Sequence, residues 1–296
     1  MTPHGTTSPG LTSARLTSAR PTSPGMVAPA AAPGPRGLAG LANPTRFLAF
    51  AGRAIPLATA AALAVLGAGL YLAFFVAPAD YQHGDTVRIM FVHVPAAWLA
   101  LGIWVLLAAS ALGTLVWRHP MADVAAQSAA PLGAAFTFLC LATGSLWGRP
   151  AWGTWWEWDG RMTSVFVLFL MYLGLLALWR AVEEPARAGR AAAIVALVGL
   201  VNLPIIRFSV DRWNTLHQPA SVLRADGPAI HPDILTPLLV MALGFLLAFV
   251  ALHLAFMRNE VLRRRVRALR ARAALEAREA APVTPAPAAP VSGAPA

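Results

Sequence analysis

A chain of 296 residues that is 57% hydrophobic and 12% charged is too apolar and too sparsely charged for a water-soluble domain, so a membrane protein is expected. Its formal net charge is +10, yet all 23 basic residues are arginines gathered at the chain ends and between apolar stretches, a distribution that points to membrane orientation and to no nucleic-acid partner. One cysteine, Cys140, excludes an intrachain disulfide, a thiolate cluster and a Cys-x-x-Cys redox pair.

Residues 1–50 are rich in Pro, Gly, Ser, Thr and Ala, with a near repeat at 11–15 and 16–20. This composition cannot bury a core and reads as a disordered tail. No compact charged-then-apolar targeting pattern with a cleavage site precedes the first apolar span. From residue 51 to 258 the chain reads as a membrane domain. Uncharged stretches at 55–77, 94–117, 124–147, 162–179, 191–206 and 234–257 are candidates for helices that cross the hydrocarbon core. The predicted class is therefore all-α, a polytopic membrane protein with six transmembrane helices. Seventeen arginines fall on the side shared by the two ends and six on the other, so both termini are expected in the cytoplasm. Residues 259–296 read as a basic helix on the cytoplasmic lipid surface, built on Arg263, Arg264, Arg265 and Arg267, and then a disordered tail.

Three outward loops follow from this topology, at 78–91, 148–160 and 208–233. The second holds most of the chain's most distinctive feature. Trp147, Trp152, Trp155, Trp156 and Trp158 are half of the ten tryptophans, more than an interface belt of isolated rings requires. Trp152, Trp155, Trp156 and Asp159 follow the spacing of one helical face, whereas Gly153 and Gly160 favour turns. On either reading, indoles offer a large flat surface with one N–H donor each.

Four histidines lie on the outer side: His83, His93, His217 and His231. His119 falls in an inward loop and His253 toward the inner end of the last span. His93 opens the second span, where an ionisable side chain is a functional candidate. His217 lies just beyond the fifth span, which Asn202 and Pro204 interrupt near its outer end: proline removes a backbone donor and bends the helix. Asn202 either satisfies the freed groups or helps the kink shape a cavity. Two imidazoles from separate segments with a tryptophan surface between them suggest a metal macrocycle, because a haem iron takes ligands on opposite faces. A zinc site would need more ligands in close array. Arg161 and Arg88 are candidates to hold haem propionates, headgroup anchoring being the alternative for both. Asp159 either contacts the ligand or pairs with Arg161 to fix the loop. No phosphate loop, nucleophile elbow or paired-carboxylate arrangement is present, so no enzymatic role is expected.

At these residues the chain resembles the haem-handling protein family of cytochrome c biogenesis. The resemblance rests on the WGxWWxWDxR pattern at 152–161 and on segments 77–82, 88–97, 143–148, 201–206 and 213–218, and it covers about residues 55–257. It implies that His93 and His217 are axial ligands of a non-covalent b-type haem, and that the tryptophan-rich loop holds the macrocycle. It implies haem export: presentation of haem at the periplasmic face of the bacterial inner membrane to a periplasmic haem chaperone. It further implies association with the ATPase and membrane subunits of an ABC transporter and with a small single-span accessory protein. Two other readings remain open, a membrane b-type haem oxidoreductase subunit and a transporter scaffold with no haem of its own. His83 and His231 stand outside the family's pattern as rival ligands.

Overall fold

A computed structural model describes residues 37–219 and 221–280; both expected disordered segments lie largely outside them. Seven α-helices make the architecture: α1 (Pro44–Tyr71), α2 (Met90–Leu115), α3 (Ala122–Trp152), α4 (Gly160–Ala181), α5 (Pro185–Val198), α6 (Asn202–Arg212) and α7 (Pro232–Ala280), with no strand among the described residues. A π-helical turn extends α1 to Val76, a 3-10 turn starting at Asp85 leads into α2, and another at Gly199–Val201 joins α5 to α6. The result is six helical segments long and apolar enough to cross a membrane. The shortest, Gly160–Ala181, has 22 residues. At 1.5 Å per residue it spans about 33 Å, enough for the hydrocarbon core.

Local sequence fixes the helix ends. Asn43 accepts hydrogen bonds from the N–H groups of Thr45 (2.9 Å) and Arg46 (3.4 Å), and Pro44 occupies the first turn, a favourable start for a helix. The helix therefore opens seven residues before position 51, where composition places the boundary. Gly153, at φ 79°, ends α3 in the left-handed region, a conformation that glycine adopts without a Cβ penalty. Asp159 caps α4.

The fifth span is interrupted as its sequence predicts. Pro204 has no N–H to give the carbonyl four residues back, and the chain tightens into the Gly199–Val201 turn. Asn202 does not serve its own helix: its Nδ2 donates to the carbonyl of Ser164 on α4 at 3.0 Å. The interruption is thereby tied to a neighbour.

The central core lies where α2, α3, α4 and α5 meet. Trp104 and Tyr172, both fully buried, pack edge to face at 4.8 Å. Each satisfies its polar atom, Trp104 Nε1 on the Ala196 carbonyl (3.1 Å) and Tyr172 OH on the Ala100 carbonyl (2.7 Å). Gly133 of α3 lets the Tyr172 ring lie directly against the backbone. The pair α1 and α7 closes through Gly69 against Met241 and Gly244 against Leu66, small residues permitting close helix approach in lipid.

The last helix runs unbroken for 49 residues, about 74 Å. No break separates the apolar span from the arginine-rich segment, and both belong to one helix. Its Ala, Arg, Leu and Glu residues are strong helix formers, and the turn beyond the span is anchored. Arg264 binds Glu260 (2.8 Å), Asp123 (2.5 Å) and Gln127 (3.0 Å), joining α7 to the start of α3.

Candidate functional site

The end of the bundle opposite that anchor gathers the predicted histidines. His93 lies in the second turn of α2, and α3 approaches it closely at Gly144, where an added Cβ would stand 3.0 Å from His93 Cε1. His93 Nδ1 sits 3.0 Å from the Cys140 carbonyl oxygen and 3.1 Å from Thr143 Oγ1. A carbonyl oxygen only accepts, so Nδ1 carries the proton and Nε2 keeps its lone pair.

His217 is held by a different device with the same outcome. Asp159 Oδ1 accepts the Met162 N–H at 2.7 Å as the cap of α4. Its Oδ2 accepts from Thr215 Oγ1 and, at 3.0 Å, from His217 Nδ1. Trp152 packs on the His217 ring at 4.9 Å. A carboxylate partner again assigns the proton to Nδ1 and leaves Nε2 bare. The two imidazoles are near enough for a charge on one to be felt at the other, and the charge of Arg161 reaches both.

Burial alone would raise the Asp159 carboxyl, but hydrogen bonds from Thr215, the Met162 N–H and His217 outweigh it and hold the group below the usual carboxylate range. Burial lowers the His217 imidazole, against the hydrogen bond and charge of Asp159, and Arg161 adds to the lowering. A histidine held down this way stabilises the fold while neutral, and that stability is lost as pH falls below the ordinary histidine value; the depressed carboxyl adds a further loss only in stronger acid. The stability advantage of the wild type over His217→Gln is therefore expected to shrink as pH falls from about 7 to about 5. Thermal unfolding in detergent across that range measures it, and a difference independent of pH would count against the seat described.

The tryptophan-rich segment does not form one helical face. Trp152 is the last residue of α3, and 153–159 is a loop, because Gly153 turns the chain into the left-handed region and Asp159 restarts it. The indoles divide between two neighbourhoods. Trp147 meets His93 at 6.0 Å and His83 at 5.7 Å, and Trp152 meets His217. Trp156 and Trp158 contact each other at 5.3 Å and both meet Phe166; with Phe138, Leu141 and Phe169 they line an open apolar cavity of about 390 Å³. Trp155 is half exposed, its carbonyl accepting from Ser145 Oγ at 2.7 Å. The indole N–H groups of Trp147 and Trp156 are buried without a partner among the described residues.

Arg161 does not pair with Asp159 among the described residues; its Nε points to Ser209 Oγ at 3.4 Å, and the carboxylate belongs to His217. Arg88 is committed to the helical turns that flank the first outward loop, donating to the Ala73 carbonyl in the π-helical turn (2.5 Å) and to Asp85 in the 3-10 turn (3.1 Å). His231 caps α7, its Nδ1 accepting the Asp233 N–H at 3.3 Å and its carbonyl accepting from Leu235 N at 2.9 Å. Sequence reasoning missed Cys140, Thr143, Gly144 and Thr215. Thr215, two residues before His217, carries the one local signal, since a hydroxyl there can bridge to the backbone N–H of His217 (3.1 Å).

A multi-pass helical membrane protein with two anchored imidazoles and a tryptophan-rich loop at one end is the class that this fold and geometry define. The chain belongs to the family described as Heme exporter protein C, whose sequence profile matches residues 37–272. Heme exporter protein C of Bradyrhizobium diazoefficiens is 64% identical over 229 residues, 77% of this chain and 87% of that protein. The proteins of the same name from Paracoccus denitrificans and Escherichia coli K12 are 45% and 47% identical over 232 and 222 residues. Those alignments cover 78% and 75% of this chain and 96% and 89% of the relatives.

Proposed function

We propose that this protein serves haem export for cytochrome c biogenesis, holding haem as cargo between His93 and His217 and passing it to a periplasmic haem chaperone. One observation carries the reading: both imidazoles are fixed through Nδ1 by acceptors, which leaves both Nε2 lone pairs free. An iron porphyrin accepts one nitrogen on each axial face. The tautomer and orientation that such a ligand needs are built by its second shell, here the Cys140 carbonyl and the Asp159 carboxylate. The unpartnered indole N–H of Trp147, beside His93, is a donor suited to a carboxylate-bearing flat cargo, Trp152 packs on His217 at the other ligand, and Trp155, Trp156 and Trp158 supply the remaining flat surface of the loop. Arg161, whose charge reaches both imidazoles, is the residue assigned to a propionate; Arg88 supports the loop.

The chain's part is to bind, orient and release, without making or breaking covalent bonds. With the arginine-rich ends in the cytoplasm of a bacterial inner-membrane protein, the site faces the periplasm, where a soluble chaperone has access. ATP hydrolysis belongs to ABC transporter subunits, and a small single-span protein completes the assembly. Haem co-purifying with the full chain, expressed with the chaperone, tests the ligand assignment. His217→Ala is expected to lower haem content at least about tenfold, and the His93→Ala, His217→Ala double variant to lose the bis-nitrogen spectrum. An unchanged spectrum in the double variant overturns the assignment.

A further inference from the structure

His83 is the outer-side histidine that the proposed function leaves unused. Its backbone is strongly fixed. Asp80 Oδ1 accepts the N–H groups of Gln82 and His83, both at 2.9 Å. Asp80 and Gly84 exchange two backbone hydrogen bonds (3.1 and 2.8 Å). Gly84 closes this turn at φ 54°, a conformation suited to glycine. Thr86 Oγ1 donates to the His83 carbonyl at 2.6 Å.

The ring, by contrast, is uncommitted. His93 and His217 each hold Nδ1 against an acceptor, and His231 uses its Nδ1 as a cap. Neither ring nitrogen of His83 has a hydrogen bond among the described residues. The His83 ring nevertheless stands edge-on to Trp147 at 5.7 Å, and the same indole meets His93 at 6.0 Å. Two imidazoles thus share one indole, one held by hydrogen bonds at Nδ1 and one held at its ring by none among the described residues.

A cargo site must hold and also let go. With only two fixed ligands, the iron position that His93 leaves has no second imidazole to fill it, whereas a third imidazole can occupy that position once the His93–iron bond has broken. We propose that His83 is an alternative axial ligand that takes the iron in place of His93, an inference that rests on the haem reading above. The exchange forms one nitrogen–iron bond and breaks another. Neither imidazole gains or loses a proton, and no electron moves.

The test uses the full chain purified with co-expressed chaperone, as His83→Ala, His93→Ala, the double variant, and His93→Ala combined with His83→Met. His83→Ala alone is expected to keep the wild-type spectrum, which also reports an intact fold. His93→Ala retains a low-spin, six-coordinate spectrum with haem content down by about tenfold or less, and adding His83→Ala converts it to a high-spin, five-coordinate one. Adding His83→Met instead gives the thioether–iron charge-transfer band of a ferric histidine–methionine haem. A high-spin spectrum already present in His93→Ala, unchanged by either substitution at position 83, overturns the proposal. A wild-type spectrum in the His93→Ala, His217→Ala double variant overturns the underlying ligand reading instead, so the two failures are distinguishable.

Discussion

Asp159→Ala is expected to destabilise the protein by about 3 kcal/mol, combining a lost N-cap with the loss of charge-assisted hydrogen bonds in a buried setting. The carboxylate serves three partners from one position: the first turn of α4 through the Met162 N–H, the loop through Thr215, and the imidazole of His217. Removing it releases the helix start and the proposed ligand together. Asp159→Asn separates the two effects. An amide oxygen still caps the helix, since asparagine caps as well as aspartate, but it lacks the charge that orients the imidazole and raises its basicity. This variant is expected to lose less thermal stability in detergent than Asp159→Ala, because the cap remains while the bonds to Thr215 and His217 do not, and to lose about tenfold in haem content. Equal haem content in Asp159→Asn and wild type would show that the carboxylate only builds the loop.

Gly133→Ala is expected to cost about 3 kcal/mol, at the upper end of overpacking effects for a single methyl. A Cβ at this position would overlap the hydroxyl-bearing edge of the Tyr172 ring, at Cε1 and Cζ. That ring has nowhere to retreat: it is fully buried, packs on Trp104, and is tied by its hydroxyl to the Ala100 carbonyl on α2. Combining Gly133→Ala with Tyr172→Phe should not recover stability, because the ring stays in place and a hydrogen bond is lost. Combination with Tyr172→Leu should recover part of it by opening space. Resistance to denaturant in mild micelles measures both, and additive losses in the Gly133→Ala, Tyr172→Leu pair would contradict the contact.

Much of the fold was legible in the sequence because lipid leaves few alternatives. Spans must be helical to satisfy their backbones internally, so uncharged stretches located all six, and Pro204 marked the interruption of the fifth. The helix ends were less accessible. The Asn43–Pro44 start is a local signal submerged in a tail of similar composition, and the anchoring of α7 beyond residue 258 comes from a contact of Arg264 with Asp123, on a helix more than a hundred residues away. His93 and His217 stood out as candidate site residues because ionisable side chains are rare at the ends of apolar spans. What holds them did not. The Cys140 carbonyl is a main-chain atom with no side-chain signature, and the choice of His217 over Arg161 as the partner of Asp159 is decided by how the third loop folds back on the second. The helical spacing of Trp152, Trp155, Trp156 and Asp159 was misleading for a physical reason: one glycine in the left-handed conformation outweighs a periodic pattern only eight residues long.

The unbroken α7 makes a mechanical unit of two distant places. Its arginine-rich end is clasped to α3 by Arg264, and its other end begins at Pro232, beside His231 and the loop that also carries His217. Past Pro237, its internal proline, the helix has no further residue that removes a backbone donor, so the anchor at Arg264 and the start of the helix beside the His217 loop belong to one element.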